Sequence, residues 1–247
     1  MIFLNVFFNA PSFAEQKKGR LVIGTPTAEP FAGEDLEKGG FYPELIKEIF
    51  HRTGYEVKVK FLPFKRILQM LEQGTLTGAA LVSYKKDRTR FLIYPENELY
   101  VDNLKVFGLK GGKTLEKFTG PESLQGSIVG TFRGGFVEKE LAGIGVTYES
   151  VSTNQQNIRK LLLGRVDFII LPEMPLKYLL KQQFTLDEQT RIIGYDPPYK
   201  VDKHFVAFSK AFPNALEISK DFTHGLYLIQ EDGTFDRIKA KYNLPEK

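Results

Sequence analysis

A serine and two arginines occur close together in the segment from residue 83 to residue 94, which reads SYKKDRTRFLIY. Arg88 and Arg90 each carry a planar guanidinium, whose fork of N–H donors fits a carboxylate. Ser83 could add a hydroxyl or a backbone N–H nearby. Considered without its context, an arginine is more often a surface residue, and a serine here is more often part of a turn. The segment is therefore a candidate anion site that needs support from the rest of the chain.

A second candidate anion site lies in GTFRGGF, residues 130–136. It comprises Thr131, Arg133, Gly134 and Gly135 at a predicted transition from strand to helix. Glycines allow close approach to the backbone, and free amides at a helix N-terminus attract an anion together with the helix dipole. A glycine pair before a helix is also common in ordinary turns. The segment is not a phosphate-binding loop, because the Lys-Ser/Thr ending of that motif is absent.

The sequence carries no recognisable catalytic or metal-binding motif. Its three histidines, His51, His204 and His224, are far apart and lack the spacing of a metal site. His51 and His224 are predicted to lie on helix surfaces. The Gly-x-Ser-x-Gly motif of serine hydrolases is absent. We therefore expect no metal and no cofactor, and a binding protein rather than an enzyme.

The composition is that of an ordinary globular protein, with 42% hydrophobic and 26% charged residues among 247. This length suits one large domain or two lobes of about a hundred residues each. The net charge of +4 comes from scattered lysines rather than a basic stripe, so no nucleic-acid partner is expected. The absence of cysteine excludes a disulfide, a cysteine-containing zinc site and a lipid-modified cysteine.

Residues 1–14, MIFLNVFFNAPSFA, form an apolar stretch that is followed at once by the polar EQKK. Ser12 and Ala14 fit the two small-residue positions of a signal-peptidase site. A positively charged start is missing, so we interpret the stretch as a signal-peptide remnant and expect a periplasmic protein without a lipid anchor. The alternative is a first core strand or an amphipathic arm. Elsewhere, no apolar run approaches the roughly 20 residues of a membrane-spanning helix.

Strand and helix patterns alternate in the first part of the chain. Residues 56–61 alternate between charged and apolar side chains, which is the period of a strand. Helices are predicted from Pro43 and from Pro63, each with apolar residues on one face and a glycine at its end. Apolar runs at residues 21–23 and 78–82 are predicted to be buried strands. Strands that alternate with helices favour a parallel sheet covered on both faces.

The same order recurs between residues 127 and 171, with predicted helices at 135–142 and 154–163. Two such βαβαβ units predict an α/β protein with two lobes, each a mostly parallel sheet flanked by helices. Ligands of open α/β sheets bind beyond the carboxyl ends of the strands. With two lobes facing each other, one ligand could contact both and stabilise a closed state by hinge motion.

The lobes are assigned from the position of the chain segments that connect them. Lobe 1 is predicted to comprise residues 20–105 and 205–247, and lobe 2 residues 106–204. The segment 100–109 is mostly extended and lies between the two units. The β-rich segment 204–209 suits a return crossing, so the two lobes are joined by hinge crossings.

Several segments resemble the bacterial family 3 extracellular solute-binding proteins. The longest is GGFYPELIKEIFHRTGYEVKVKFLPFKRILQMLEQGTLTGAA, residues 39–80, and others are SYKKDRTRFLIY, GTFRGGF and NIRKLLLGRVD. Each motif alone is weak, but their order covers nearly everything from Arg20 to Leu244. The resemblance implies a two-lobed periplasmic-binding-protein-like fold of type II. It also implies a receptor for a small polar ligand, an amino acid or a related carboxylate, that serves an ABC permease.

The resemblance implies roles for individual residues as well. Arg88 is the best match to the arginine that pairs with a ligand carboxylate, with Arg90 as the alternative. Ser83 precedes it as a Ser or Thr does in the family. Phe31 and Phe64 correspond to aromatics on the lobe 1 side of the cleft, although each alone would more often be a core residue. The corresponding lobe 2 loop comprises Thr131, Arg133, Gly134 and Gly135.

One departure from the family concerns the ligand ammonium. Amino-acid receptors of this family usually place an aspartate after the last strand of the second βαβαβ unit to bind that group. Pro172 stands at the matching position here, with Glu173 beside it. Either Glu173 substitutes for the aspartate, or the ligand lacks an α-ammonium. Both interpretations stay open.

Two other functions are compatible with the sequence. Cyclohexadienyl dehydratases resemble the same family, and a cleft carboxylate such as Glu173 could act there as a general acid. The chain could also be a ligand-sensing domain of a signalling protein, which the end at Lys247 without a membrane segment disfavours. A monomer is expected, because the two lobes must move relative to each other.

Overall fold

The computed structural model describes residues 18–134 and 136–242. The predicted signal-peptide remnant, Gly135 and the last five residues lie outside that part of the chain. No helix of the described residues is both long and apolar enough to span a bilayer.

Nine strands and eight α-helices occur in the described part of the chain. The strands are β1 (Gly19–Thr25), β2 (Tyr55–Phe61), β3 (Gly78–Ser83), β4 (Leu92–Ile93), β5 (Tyr100–Leu109), β6 (Ile128–Phe132), β7 (Thr147–Val151), β8 (Phe168–Pro172) and β9 (Ile192–Ser209). The helices are α1 (Phe41–His51), α2 (Phe64–Glu72), α3 (Phe136–Gly143), α4 (Asn154–Leu162), α5 (Glu173–Gln183), α6 (Leu186–Arg191), α7 (Ala215–Glu231) and α8 (Thr234–Lys241). The predicted two-unit order is therefore confirmed, with helix and strand limits shifted by a few residues.

The strands form one continuous sheet in the order β2-β1-β3-β9-β5-β8-β6-β7, with β4 paired to β9. β1 lies between β2 and β3 and is parallel to both. β6 occupies the equivalent place in the second unit, parallel to β7 and β8. The two parallel units are joined by β5 and β9, which are antiparallel to each other and to their outer neighbours β8 and β3.

The crossing strand β9 begins at Ile192, well before the return segment predicted from residue 204. The consecutive Pro197 and Pro198 argue against a strand at this point of the sequence, since proline cannot donate to a ladder. The structure accommodates them in a bulge, because the pairing with β5 jumps from Lys200 to Tyr195. β9 therefore pairs with β5 on both sides of the bulge and then continues into lobe 1 beside β3 and β4.

Lobe 1 has an aromatic core between its sheet and the helices α1 and α7. The rings of Phe50, Phe208 and Phe222 meet at centroid distances of 5.5–6.1 Å, and all three are buried. They come from α1, β9 and α7, so the return of the chain into lobe 1 completes its core. Burial of such side chains is the main stabilising contribution to a lobe of this size.

Lobe 2 is built around β8, which is covered on both faces. Phe168 and Ile170 belong to one apolar cluster, whereas Ile169 and Leu171 belong to another. The uninterrupted apolar run that predicted a buried strand is thus explained by two helix layers. Helices α5 and α6, which follow β8, were not predicted. The early Pro175 obscures α5, although proline is tolerated in the first turn of a helix.

The two-lobed α/β architecture expected from the sequence is present. The limits assigned to the lobes remain a prediction, because β5 and β9 run through both.

A prediction for stability follows from the crossing of α1 and α7. A Cβ atom at Gly225 in α7 would clash with the carbonyl oxygen of Ile49 in α1. We expect Gly225→Ala to lower the free energy of unfolding by about 1–3 kcal/mol, because the helices must move apart.

The matched control is Gly143→Ala at the end of α3, where a Cβ would meet no atom within 4 Å. That change is expected to be neutral or slightly stabilising, because alanine favours a helix over glycine. Urea denaturation of both variants measures the difference, and equal stabilities would contradict the predicted close contact.

Candidate functional site

A cavity of about 820 Å³ lies between the two lobes. Lobe 1 lines it with residues that include Phe31, Phe64, Leu81, Ser83 and Arg88, and the crossing strands add Asp102 and His204. Lobe 2 contributes residues that include Phe132, Asn154, Gln155, Pro172 and Pro175. The size and the mixture of apolar walls with a few polar groups are typical of a site for a small molecule. We call this cavity the cleft.

Arg88 is held in the cleft by the residues around it. Its Nη1 donates a hydrogen bond to the Ser83 carbonyl oxygen at 3.1 Å, and its guanidinium lies 5.2 Å from the ring centroid of Phe64. In the described residues, no carboxylate forms an ion pair with Arg88. Arg90, the rival in the sequence, is exposed and pairs instead with Glu72 at 3.0 Å. Arg88 is therefore the better placed of the two to bind an anion.

The strand that leads to Ser83 is interrupted by a bulge. The pairing of β3 with β9 shifts between Ala79 and Val82, and Leu81 has a φ of 57°, a left-handed conformation that a leucine rarely adopts. Ala79 and Val82 pack in the same apolar cluster although they are three residues apart. Leu81 and Ser83 both line the cleft.

A hydrogen-bonded chain of side chains runs from Ser83 to α1. The Ser83 hydroxyl donates to Asp202 Oδ1 at 3.3 Å, and Asp202 Oδ2 lies 3.3 Å from His204 Nε2. His204 Nδ1 lies 3.1 Å from the Tyr42 hydroxyl oxygen. The hydrogen bond to His204 lowers the pKa of the Asp202 carboxyl below its ordinary value. This chain fixes the orientation of the crossing strand β9 beside the cleft.

Asp102 is a buried carboxylate on the other crossing strand, β5. Asp102 is only 3% exposed, and its Oδ1 accepts hydrogen bonds from the amides of Asn103 at 2.9 Å and Met174 at 3.4 Å. Its Oδ2 is buried without a hydrogen-bond partner. Burial raises the pKa of Asp102 to about 6. Buried carboxyl groups favour the neutral form unless a positive charge compensates them.

Phe31 forms part of both the cleft wall and the lobe 1 core. It is 3% exposed and has ring contacts with Tyr42, Tyr100 and His204 at centroid distances of 5.6, 5.7 and 5.7 Å. Phe31 therefore lines the cleft and also packs in the core, which are the two positions that the sequence analysis considered. Phe64 is half-buried and stacks with Arg88.

The lobe 2 wall consists of Phe132 and the start of α4, together with residues at the start of α5. The Phe132 side chain is 49% exposed. Thr153 caps α4 by accepting a hydrogen bond from the Gln156 amide at 3.2 Å. Asn154 and Gln155, the first residues of α4, line the cleft.

In the predicted anion loop of lobe 2, the backbone amides of Arg133 and Gly134 already donate hydrogen bonds within the protein. The Gly134 amide donates to Glu138 at 2.6 Å and the Arg133 amide donates to the Val151 carbonyl at 2.8 Å. Thr131 is fully buried, and Gly135 lies outside the described residues. Thr131, Arg133 and Gly134 are not among the residues that line the cleft. Their predicted ligand contacts thus have no support from the geometry, since α3 uses its own Glu138 to complete its N-terminus.

Glu173 lies outside the cleft as well. It is the first residue of α5 and pairs with Lys177 at 2.8 Å and with Lys105 at 3.6 Å. All three residues border a different cavity, on the side of lobe 2 formed by α5 and α6. The first turn of α5 turns Glu173 away from the cleft, while its neighbours Pro172 and Pro175 line it.

The structure thus brings Phe31, Phe64, Ser83 and Arg88 together in one cleft, and their roles in binding remain predictions. The sequence interpretation missed Asp102 and His204. The signal that could have identified them is a carboxylate in the extended segment 100–109 and a histidine in the β-rich segment 204–209. In the described residues, no group of three or more His, Cys, Asp or Glu side chains is arranged to hold a metal ion.

The family model of the bacterial extracellular solute-binding proteins, family 3, matches residues 21–245. This chain belongs to that family. The match covers both lobes and both crossing strands. No curated protein sequence matches this solute-binding protein significantly.

Solved structures with the same fold include several amino-acid transporter components. The probable amino-acid ABC transporter extracellular-binding protein ytmK from Bacillus subtilis is 24% identical, with a TM-score of 0.71 over 90% of this chain and 97% of that one. The second substrate-binding domain of Lactococcus lactis GlnP, in an open conformation, is 20% identical with a TM-score of 0.69, over 92% and 96%. A histidine kinase sensor domain is 20% identical with a TM-score of 0.65, over 90% and 95%. At these identities the likeness establishes the fold of this solute-binding protein.

The buried carboxyl of Asp102 predicts a pH dependence of stability. Its folded-state pKa of about 6 lies above the ordinary 3.8, so the folded protein binds this proton more tightly than the unfolded chain. Stability therefore falls as the pH rises through this interval, by a total of about 3 kcal/mol for this group. We expect Asp102→Asn to be more stable than the wild type near pH 8 and similar to it near pH 4.

The control for this experiment is Asp202→Asn. The pKa of Asp202 is lowered by its hydrogen bond to His204, so its contribution to stability is present at neutral pH and lost as the pH falls. Asp202→Asn should thus be less stable than the wild type near pH 8. Urea denaturation between pH 4 and pH 8 measures both effects on the free energy of unfolding. If this free energy depends on pH in the same way for the wild type and for Asp102→Asn, the raised pKa of Asp102 is wrong.

Proposed function

We propose that this protein is an extracytoplasmic receptor that binds a small polar solute, an amino acid or a related carboxylate, between its two lobes. Hinge closure around the ligand would present the loaded protein to an ABC-type permease, as a monomer. The family supports the receptor function. The transporter components among the structural neighbours support the proposed role in import.

The observation that carries this proposal is the guanidinium of Arg88 in a cleft lined by both lobes. A half-buried cationic group that lines the cleft, without a carboxylate partner among the described residues, is suited to a ligand anion. The apolar walls provided by Phe31 and Phe64 would strengthen that interaction, because they exclude water from it.

Closure would follow from contacts that a ligand makes with both lobes. Arg88 and Ser83 lie in the first unit, whereas Phe132, Asn154 and Gln155 belong to the second. A ligand held by Arg88 and touched by the start of α4 would bind the closed arrangement more tightly than an open one. That difference in affinity is what shifts the equilibrium towards closure.

The division of the chain supports the same proposal. We assign residues 20–105 and 205–247 to lobe 1 and residues 106–204 to lobe 2, with β5 and β9 as the crossings. The apolar clusters of lobe 1 draw their members almost entirely from the first and last segments. Met174 of α5 also packs in a lobe 1 cluster, which gives the lobes a direct contact next to the cleft.

A dehydratase or lyase activity is the second candidate, and Asp102 favours it. Glu173, the general acid considered from the sequence, pairs with lysines outside the cleft. Asp102 instead lines the cleft and has a pKa raised to about 6 by burial, which suits proton transfer near neutral pH. Incubation of the protein with each ligand, followed by NMR, distinguishes the candidates, because a receptor returns its ligand unchanged.

Arg88→Ala tests the proposed receptor. A panel of amino acids, short carboxylic acids and polyamines is screened with the wild type by thermal shift, since ligand binding raises apparent stability by mass action. We expect a stabilising carboxylate ligand, and we expect Arg88→Ala to bind it about 30-fold or more weakly, because a buried charge pair is lost.

Arg90→Ala is the matched control, since Arg90 lies two residues away but is exposed and pairs with Glu72. It should bind as the wild type does, and both variants should unfold cooperatively. Full binding by Arg88→Ala would refute the site, and a panel without any stabilising compound would refute the receptor proposal.

A further inference from the structure

We propose that Asp102 is a cation-binding subsite of the cleft, so that the ligand carries an ammonium or guanidinium group in addition to the anionic group bound by Arg88. This inference rests on the proposed receptor function and narrows its ligand to small zwitterions or cationic amino acids. It also assigns the positive end of the ligand to a crossing strand rather than to the loop that follows β8.

The first argument is the incomplete hydrogen bonding of the Asp102 carboxylate. One oxygen accepts hydrogen bonds from two backbone amides, whereas Oδ2 is buried and accepts none. Buried polar atoms are nearly always satisfied, and an unsatisfied buried charge is costly. Because Asp102 lines the cleft, a ligand group is a suitable partner for the free oxygen.

The second argument is that no lysine or arginine among the described residues, 18–134 and 136–242, pairs with Asp102. Lys105, on the same strand, pairs with Glu173 and Asp196, and His204 is hydrogen-bonded to Asp202 and Tyr42. A ligand cation would supply the missing charge.

The third argument is the chemistry of the surrounding groups. Tyr100 on β5, Tyr42 on α1, His204 on β9 and Glu173 on α5 are the titratable groups that interact with the Asp102 carboxylate. Burial, followed by the charge of Asp102, raises the pKa of both tyrosines, so they remain neutral phenols. Aromatic rings next to a carboxylate form a favourable environment for an ammonium or a guanidinium.

The position of Asp102 also fits a site that responds to closure. β5 is one of the two crossing strands, and the Asp102 Oδ1 accepts a hydrogen bond from the Met174 amide in the first turn of α5. The carboxylate is therefore oriented by both lobes at once. A cation that binds its free oxygen lies at the junction between the lobes, within the cleft that also contains Arg88.

The experiment compares amino acids with analogues that lack the positive charge. Isothermal titration calorimetry measures binding of each stabilising amino acid, of its desamino acid and of simple carboxylic acids to the wild type and to Asp102→Asn. The asparagine can still accept hydrogen bonds from Asn103 and Met174, so the fold is retained while the charge is removed. Asp196→Asn is the control, because Asp196 is an exposed carboxylate of β9 that does not line the cleft.

We expect the wild type to prefer the charged ligand over its desamino analogue, and Asp102→Asn to bind the charged ligand about 30-fold or more weakly. Binding of the desamino analogue should change little, and Asp196→Asn should behave as the wild type does. The wild-type affinity for the charged ligand should also fall as the pH is lowered from about 8 to about 5, and this dependence should be reduced in Asp102→Asn.

The outcomes separate this inference from the receptor proposal. If the protein binds only ligands without a positive charge, or if Asp102→Asn binds the charged ligand as tightly as the wild type, the Asp102 subsite is wrong while the receptor function stands. If no compound of the panel binds the wild type, the receptor proposal fails and the subsite fails with it.

Discussion

The antiparallel pairing of β5 with β9 is the interaction on which both the architecture and the site depend. The ladder extends from Tyr100 opposite His204 to Leu109 opposite Ile192, and each strand is hydrogen-bonded on its other side to a different lobe. The two lobes therefore share one sheet instead of being joined by loose linkers. In the proposed hinge closure, side chains on these strands would be displaced least. Asp102, Asp202 and His204 would then keep their positions relative to a ligand.

The cleft contains two charged side chains, Arg88 and Asp102, that are incompletely paired within the protein. Arg88 contacts a backbone carbonyl, an aromatic ring and the Tyr94 side chain, but no carboxylate among the described residues, and Asp102 retains an unsatisfied oxygen. Two charges of opposite sign that are both incompletely paired make a ligand-free protein less stable than it could be. Strain and unsatisfied groups of this kind are characteristic of functional sites. Asp202 differs from Asp102, because each of its two carboxylate oxygens has a hydrogen-bond partner, Ser83 for Oδ1 and His204 for Oδ2.

The fold and the first half of the site were predictable from the sequence because they depend on local patterns. Alternation in residues 56–61, one-sided helices and the order of the motifs indicated two α/β units and the position of Arg88. Asp102 was not predictable in this way, since its burial results from packing between β5, β9 and α5. Glu173 shows the same limit: the sequence places it next to Pro172, but the first turn of α5 directs it towards Lys105 and Lys177.

The bulge in β3 has a consequence for how related chains should be compared. Because Ala79 and Val82 face the same apolar cluster, the odd and even positions of this strand exchange sides at Leu81. In a relative that lacks the extra residue, the neighbour of the aligned serine would line the cleft in its place. An alignment without a gap can therefore be wrong by one position for the residues of β3 that line the cleft. A single insertion or deletion in β3 would then change which side chains line the cleft, without any substitution of the residues themselves.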